Sequence, residues 1–255
     1  MNDTDRRLMR ELRDRLGNLQ MGLQCCTPLF QEQGTPKQLE YLAMLNQNLY
    51  AMLRTVSHLE FTGGETTAFC PVTLDVAGLC RKLGRELAGL AQLAQVDFTF
   101  EVEESSVLAE ADEDLLERGL LNLISNAMEA ARQGGGHVRL MLKCSGSSAI
   151  FTVEDDGPGF PAEMPEPYAL TPQHGGVGLG LKVAQEVAAR HGGTLLRLER
   201  PVGVQVSMSL PIHRRGDTLL RSPRMGYESG GGFSPLLVEL STVLPTRAFL
   251  PDNLD

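Results

Sequence analysis

Two asparagines four residues apart, Asn122 and Asn126, lie in the segment NLISNA, within a stretch predicted to be helical from Asp112 to Arg132. Residues at i and i+4 share one face of an α-helix, so both carboxamides point to the same side. Carboxamide oxygens suit Mg²⁺, which prefers oxygen ligands and keeps water molecules when it bridges phosphates. Alone the pair is weak evidence, because asparagines on helices more often cap a terminus or face solvent.

An acidic residue with two spaced glycines, Asp155, Gly157 and Gly159 in DDGPGF, follows a predicted strand that ends near Val153. Glycines let the backbone approach a flat ligand closely. A carboxylate beside them can accept a hydrogen bond from an exocyclic amine such as that of adenine. A simple surface turn explains these residues about equally well.

A second glycine series, Gly176, Gly178 and Gly180 in GGVGLGL, comes just before a helix predicted from about Gly180 to Arg190. Backbone N–H groups and a helix N-terminus converge there, which favours phosphate binding. The segment lacks the lysine and serine of a P-loop and does not follow a strand as a dinucleotide fingerprint must. It is therefore a phosphate-loop candidate of another kind.

The elements before these motifs predict a helical hairpin over residues 1–64. Two apolar stripes step by three and four residues: Leu8, Leu12, Leu16, Leu19 and Leu23, then Leu42, Leu45, Leu49, Met52, Val56 and Leu59. Each stripe needs a further partner to exclude water, and a four-helix bundle made by two chains provides one. Docking of the hairpin on the chain's own second domain is the alternative.

Residues 70–211 change in pattern and predict a second domain. A helix near Val76–Leu93 and a strand from Val96 precede the asparagine helix, and four strands follow it, two on either side of the glycine loops. An open sheet with helices on one face satisfies this order. Residues 212–255, rich in Gly, Ser, Arg and Pro, predict a flexible tail in which SPLLVELSTVLP is compatible with one added strand.

Composition excludes several classes of protein. With 255 residues, 42% hydrophobic and 22% charged, the chain is an ordinary globular sequence without a membrane-length apolar run. Its net charge of -9 disfavours nucleic acid as a partner. The five cysteines form no CxxC pair, and the charged N-terminus offers no signal peptide. We expect a cytoplasmic protein with reduced thiols and no membrane insertion.

In this order and spacing, NLISNA, DDGPGF and GGVGLGL resemble the N, G1 and G2 boxes of the ATP-binding domain shared by histidine kinases, gyrase-type ATPases, ninety-kilodalton heat-shock chaperones and mismatch-repair ATPases. The hairpin is similar to the dimerisation and phosphotransfer module of histidine kinases. The resemblance implies an α+β fold: a helical hairpin, forming a dimeric four-helix bundle, followed by a two-layer α/β sandwich of the Bergerat type. It also implies ATP and Mg²⁺, with Asn126 as metal ligand and Asp155 as adenine contact. The implied ATP-binding residues are Asn122, Asn126, Asp155, Gly157, Gly159, Gly176, Gly178 and Gly180.

Some positions depart from the family pattern. Histidine kinases have a His-Glu-Leu-Arg run in the first helix, where this chain has Arg10 in place of histidine. A guanidinium stays protonated and cannot act as the nucleophile. His58 is predicted to be an ordinary surface residue. Glu129 and Gln173 stand where basic residues are usual.

Three functions follow. The first is an ATP-binding histidine-kinase-like protein of the two-component type, homodimeric, with a response regulator or another signalling protein as partner. The alternative is a pseudokinase or adaptor whose nucleotide state controls a partner, which the missing phosphoacceptor favours. A hydrolytic gyrase-type ATPase needs a carboxylate where this chain has Asn122, and an amide cannot act as that general base.

Overall fold

The computed structural model describes residues 3–63, 68–132, 136–159, 178–212 and 233–254. The chain forms two compact units. One combines Met1–Thr66 with Tyr227–Asp255, and the other is Thr67–Gly226. The ATP-binding motifs therefore belong to a unit that is inserted between two parts of the first.

Two helices form the predicted hairpin, α1 (Asp3–Gln33) and α2 (Pro36–Thr62). Thr35 caps α2 in a capping box: its side chain accepts from the Gln38 backbone N–H, and the Gln38 side chain accepts from the Thr35 N–H at 2.8 Å. Pro36 follows at the first helical position, where its missing N–H costs nothing. The residues of the turn thus favour the start of a new helix directly after α1 ends.

Along the apolar stripe of α2, buried residues alternate with exposed ones. Leu49 and Val56 form a core cluster with Leu16 of α1, whereas Leu45 and Met52 are exposed. On α1, Leu8, Leu12 and Leu19 are exposed as well. One half of the stripe closes the hairpin and the other half remains uncovered in this chain.

The C-terminal segment forms helix α6 (Pro235–Glu239) and two 3₁₀ helices, Thr246–Phe249 and Pro251–Asn253. The added strand with which the sequence SPLLVELSTVLP is compatible is therefore not formed, because a helix takes its place. Ser234 caps α6 and Pro235 occupies its first turn, which together favour a helix. Residues 213–232, the first part of the predicted flexible tail, lie outside the described residues.

This segment packs against α2 within the first unit. The Gln47 side chain donates to the backbone carbonyls of Ser241 and Leu244, and Asn46 donates to that of Phe249. The Tyr50 ring lies 5.2 Å from Phe233 and 5.5 Å from Phe249, between ring centroids. The C-terminal segment thus covers a side of α2 that does not face α1. Neither the dimeric bundle nor docking on the second domain, the two predicted arrangements, included this contact.

A buried charged cluster joins the same two elements. One Glu239 carboxylate oxygen lies 2.8 Å from His58 Nε2 and 3.3 Å from Arg54 Nε, and the side chain is 5% exposed. The prediction that His58 is a surface residue is wrong, because α6 covers it. Its partner is 181 residues away in sequence, so local sequence carries no sign of the pairing.

The second unit contains a five-stranded sheet in the order β2-β4-β5-β7-β6, in which only β2 and β4 are parallel neighbours. Its strands are β2 (Asp97–Val102), β4 (His137–Ser145), β5 (Ser148–Asp155), β6 (Leu195–Glu199) and β7 (Val204–Pro211). Strands β1 (Val72–Asp75) and β3 (Leu108–Ala111) pair in a separate antiparallel sheet. Four residues each, these two were too short to predict.

Helices α3 (Val76–Leu93), α4 (Glu113–Ala131) and α5 (Gly180–Arg190) pack on the larger sheet. Alternate residues of β4, β5 and β7 are buried beneath them, and the other face carries ion pairs such as Arg139–Glu101 and Arg200–Glu154. The predicted open sheet with helices on one face, after an N-terminal helical region, is confirmed. Within the described ranges, no helix is long and apolar enough to cross a membrane.

We predict that Glu239→Ala destabilises the first unit by about 3–5 kcal/mol, because it removes the buried carboxylate that contacts Arg54 and His58. Urea unfolding followed by hydrogen–deuterium exchange in α2 measures the change. Glu11→Ala is the matched control: it removes an exposed ion pair to Arg15 on α1 and should cost less than about 0.5 kcal/mol. Equal effects would show that the cluster adds nothing to stability.

Candidate functional site

Helix α4 positions the asparagine pair, and its start is fixed by several hydrogen bonds. Asp112 caps it by accepting from the Leu115 N–H at 3.1 Å and from the Cys70 N–H at 2.9 Å. The Asp112 N–H donates to Nε2 of His191, the residue that follows α5. The beginning of α4 and the end of α5 are thereby joined, as the sequence motifs alone did not indicate.

Asn122 is fully buried, and its amide is only half satisfied. Its Nδ2 donates to the Arg118 carbonyl at 2.9 Å, but among the described residues nothing donates to its Oδ1. Leaving a buried carbonyl oxygen unpaired costs about 1–3 kcal/mol. Such an unpaired group inside a folded domain is most simply explained as an acceptor for a ligand or for water.

The N-terminus of α5 lies directly against both asparagines. A Cβ atom at Gly180 would stand 3.0 Å from Asn126 Oδ1 and 3.1 Å from Asn122 Oδ1, so only glycine fits without displacing the amides. A similar close approach at Gly119, where a Cβ would lie 2.8 Å from the Val187 side chain, brings the two helices together. The two glycines, at positions 119 and 180, therefore let α4 and α5 approach each other closely.

The backbone that enters α5 has the geometry of an anion site. Gly178 has φ +71°, in the left-handed region that favours glycine. Leu179 at the N-cap makes no side-chain hydrogen bond to the helix, so no cap side chain occupies the first N–H groups of α5. A helix N-terminus with open N–H groups attracts negative charge. Gly176 and the segment with Gln173 lie outside the described residues.

Asp155 ends β5 and is 9% exposed. Its Oδ1 accepts from the Gly157 N–H at 2.9 Å, and burial raises the pKa of this carboxyl above its ordinary value of 3.8. Desolvation is the largest cause, opposed by hydrogen bonds from the Gly157 and Val204 backbones. A carboxylate held in so dry a position gains from any further donor, such as an exocyclic amine.

Two glycines hold this loop close to its neighbours. A Cβ at Gly157 would stand 2.7 Å from the Ala130 carbonyl, near the end of α4. A Cβ at Gly203, which has φ +74°, would stand 1.8 Å from the Asp155 carbonyl oxygen. We had not predicted Gly203 as part of the site, because its contact lies across the sheet. Gly159 has φ +88° and open space around it.

Helix α4 thus contacts both glycine loops and forms the floor of the site, the surface on which they lie. Asn122 and Asn126 meet Gly180 near its middle, and Ala130 meets Gly157 two turns later, about 12 Å along the axis from Asn122. The arrangement suits an elongated ligand with a flat base near Asp155 and an anionic group near Gly180. Seven of the eight predicted ATP-binding residues lie on α4, at the end of β5 with its following loop, or at the start of α5. The eighth, Gly176, lies outside the described residues.

The residues present fit a magnesium nucleotide. Asn126 offers a carboxamide oxygen beside the helix N-terminus, the unpaired Asn122 Oδ1 is an acceptor for a coordinated water molecule, and Gly180 leaves the space. In the part of the chain that the structure describes, no group of three or more His, Cys, Asp or Glu side chains could hold a metal by itself. The Asn126 carboxamide is a group that could hold a Mg²⁺ ion arriving with the phosphates of a nucleotide.

Comparison with known proteins agrees with this geometry. Residues 111–214 match the family described as histidine kinase-, DNA gyrase B-, and HSP90-like ATPase. The sensor histidine kinase GtrS of Pseudomonas aeruginosa is 36% identical over 102 residues, which cover 38% of this chain and 21% of GtrS. The chain thus spans about a fifth of the length of that relative.

Solved structures share the fold. The structure of full-length ShkA in complex with AMPPNP covers 83% of this chain and 46% of its own, with a TM-score of 0.62 and 23% identity. That of histidine kinase ThkA in complex with response regulator protein TrrA covers 82% and 61%, with a TM-score of 0.56 and 20% identity. The chain therefore shares its fold with these structures, and residues 111–214 carry its match to the ATPase family.

Proposed function

We propose that this protein binds MgATP and acts, in the cytoplasm, as a histidine-kinase-like component of two-component signalling that lacks the usual phosphoacceptor. The observation that carries the proposal is the contact of Gly180 with the two asparagine amides, beside the unpaired Asn122 Oδ1. Phosphates bound at the α5 N-terminus would meet the asparagine oxygens within the same small volume.

Each residue has a role that its geometry supports. The Asp155 carboxylate accepts from the adenine amine, and Gly157 and Gly159 let the base approach the backbone. Gly178 and Gly180 present α5 N–H groups to the phosphates. Asn126 holds Mg²⁺, which when bound neutralises charge on the phosphates. Asn122 orients water beside them, and because it is an amide it cannot act as the general base of a hydrolytic ATPase.

The alternative is an adaptor whose nucleotide state controls a partner. One observation favours it: Arg10 occupies the phosphoacceptor position and is exposed on α1, where a histidine would be accessible. Nearby Arg13 forms an ion pair with Glu60 of α2, so this part of the helix has a structural use. In either case we infer a signalling protein as partner, a response regulator in the first.

Calorimetric titration of the full chain with ATP and Mg²⁺ tests the proposal. We predict that Asp155→Ala weakens binding by about 1–3 kcal/mol through loss of a buried hydrogen bond. Asp97→Ala, which removes an exposed carboxylate from β2, should leave the affinity unchanged. Absence of heat for the wild type at millimolar ATP would overturn nucleotide binding altogether.

The pH dependence has a defined sign. The ionised Asp155 carboxylate accepts more strongly from the adenine amine than the protonated acid does, and burial raises its pKa above 3.8, so affinity should fall as the pH is lowered toward that raised pKa. Asp155→Asn should give a flatter profile, and comparison at each pH cancels the protonation of the nucleotide itself. Identical slopes would remove Asp155 from the base contact.

Dimerisation is proposed on the exposed half of the hairpin stripe. Leu45 is 56% exposed and Met52 is 47% exposed on α2, and Leu8, Leu12 and Leu19 of α1 are exposed too. Apolar surface of this extent on paired helices is best buried against a second copy, which gives a four-helix bundle. Leu49 is unsuitable for testing this, because it lies in the hairpin core.

We predict that the wild type is a dimer at micromolar concentration by light scattering and that Leu45→Glu is a folded monomer, since a buried unpaired charge costs several kcal/mol. Gln24→Glu adds the same charge at an exposed position on another side of α1 and should remain dimeric. A monomeric wild type would contradict the proposal.

The wild type is expected to carry no acid-labile phosphate at position 10 after incubation with ATP, because arginine cannot accept it. Arg10→His should gain such phosphate, with Glu11 as the adjacent proton acceptor. Mass spectrometry locates the modification. Absence of acid-labile phosphate in Arg10→His would favour the adaptor. Phosphohistidine elsewhere in the wild type would show that the first helix is wrongly aligned with the histidine kinase pattern.

A further inference from the structure

Glu129 lies on the face of α4 that forms the floor of the site. Residue 129 is three positions after Asn126 and seven after Asn122, and at 100° per residue it stands within about 60° of both around the helix axis. Residues at such spacings are neighbours on a helix surface. The Glu129 carboxylate therefore belongs to the surface that carries the two amides.

No described residue forms a hydrogen bond or an ion pair with this carboxylate, and the side chain is half-buried. Two other glutamates of the same domain have cationic partners: Glu117 pairs with Lys82 at 3.4 Å, and Glu186 pairs with Arg190 at 3.1 Å. An uncompensated carboxylate in a site for an anionic ligand repels that ligand unless a cation lies between them. The Glu129 charge therefore favours a ligand that brings a cation with it.

We propose that Glu129 is a cation-directing residue that, together with Asn126, supplies protein oxygens toward the divalent cation of the bound nucleotide, so that this chain prefers the metal complex of ATP to free ATP. The inference rests on the proposed function and adds a residue to it. Carboxylate and carboxamide oxygens one turn apart are suitable partners for Mg²⁺, directly or through its water molecules.

Calorimetry on the full chain tests the inference with ATP in Mg²⁺ and with ATP in excess EDTA. The quantity of interest is the ratio of the two affinities. For the wild type we expect a ratio above about 100, and Glu129→Gln, which keeps the shape and loses the charge, should lower it about tenfold or more. Glu129→Lys should bind metal-free ATP more tightly than the wild type does.

Asp114→Asn is the matched control, since it removes an exposed carboxylate from the first turn of the same helix, and its ratio should equal that of the wild type. Binding of Mn²⁺ in the presence of ATP, followed by electron paramagnetic resonance, gives a readout independent of heat and should weaken in Glu129→Gln.

The outcomes separate the two claims. If the wild type binds MgATP and Glu129→Gln leaves the ratio unchanged, Glu129 does not face the cation and this inference is wrong while the proposed function stands. If Asp114→Asn lowers the ratio equally, the effect is one of net charge and the inference is also wrong. If no protein binds ATP in either condition, the proposed function fails and the inference fails with it.

Discussion

The close contact between the first residue of α5 and the two asparagine amides of α4 is the constraint on which the candidate site depends. It favours glycine at position 180, because a Cβ atom would stand a few tenths of an ångström too close to the Asn126 and Asn122 oxygens. It also requires α4 and α5 to pack closely, which is possible because Gly119 of α4 has no side chain to clash with Val187 of α5. With this contact made, an unpaired amide oxygen, a helix N-terminus and the Asn126 carboxamide oxygen share one volume.

The same helix connects the two ends of the site. The glycine at 157 lets the Asp155 loop lie against the Ala130 carbonyl, so the Asp155 end and the Gly180 end of the site are both positioned by α4. The dry position of Asp155 follows from this packing, and burial is the main cause of its raised pKa. Because both loops are held against the same rigid helix, their residues keep fixed positions relative to each other and can contact a single ligand.

Much of this was predictable, because it depends on local patterns. Helix α4 and its Asp112 cap, the start of α5 at Gly180 and the five strands of the larger sheet follow from spacing, capping residues and glycine positions. What could not be predicted depends on long-range pairing. Gly203 matters only because β7 places it against Asp155, and His58 is buried only because α6 brings Glu239 to it.

The C-terminal segment shows the limit most clearly. Its composition resembles a tail, and a five-residue helix with two 3₁₀ turns has little stability alone. It is ordered by the carbonyl groups that Gln47 and Asn46 bind and by the charged cluster on α2. The hairpin unit is thus built from both ends of the chain, with the ATP-binding domain inserted between them.

Nuclear magnetic resonance of the ¹⁵N-labelled full chain during titration with MgATP tests the central claim most directly. The account predicts that the largest shift changes fall on the backbone amides of Gly157, Gly178 and Gly180 and on the side-chain amides of Asn122 and Asn126, with little change at Asn48 on α2. Changes confined to other regions, or no changes at saturating nucleotide, would contradict it.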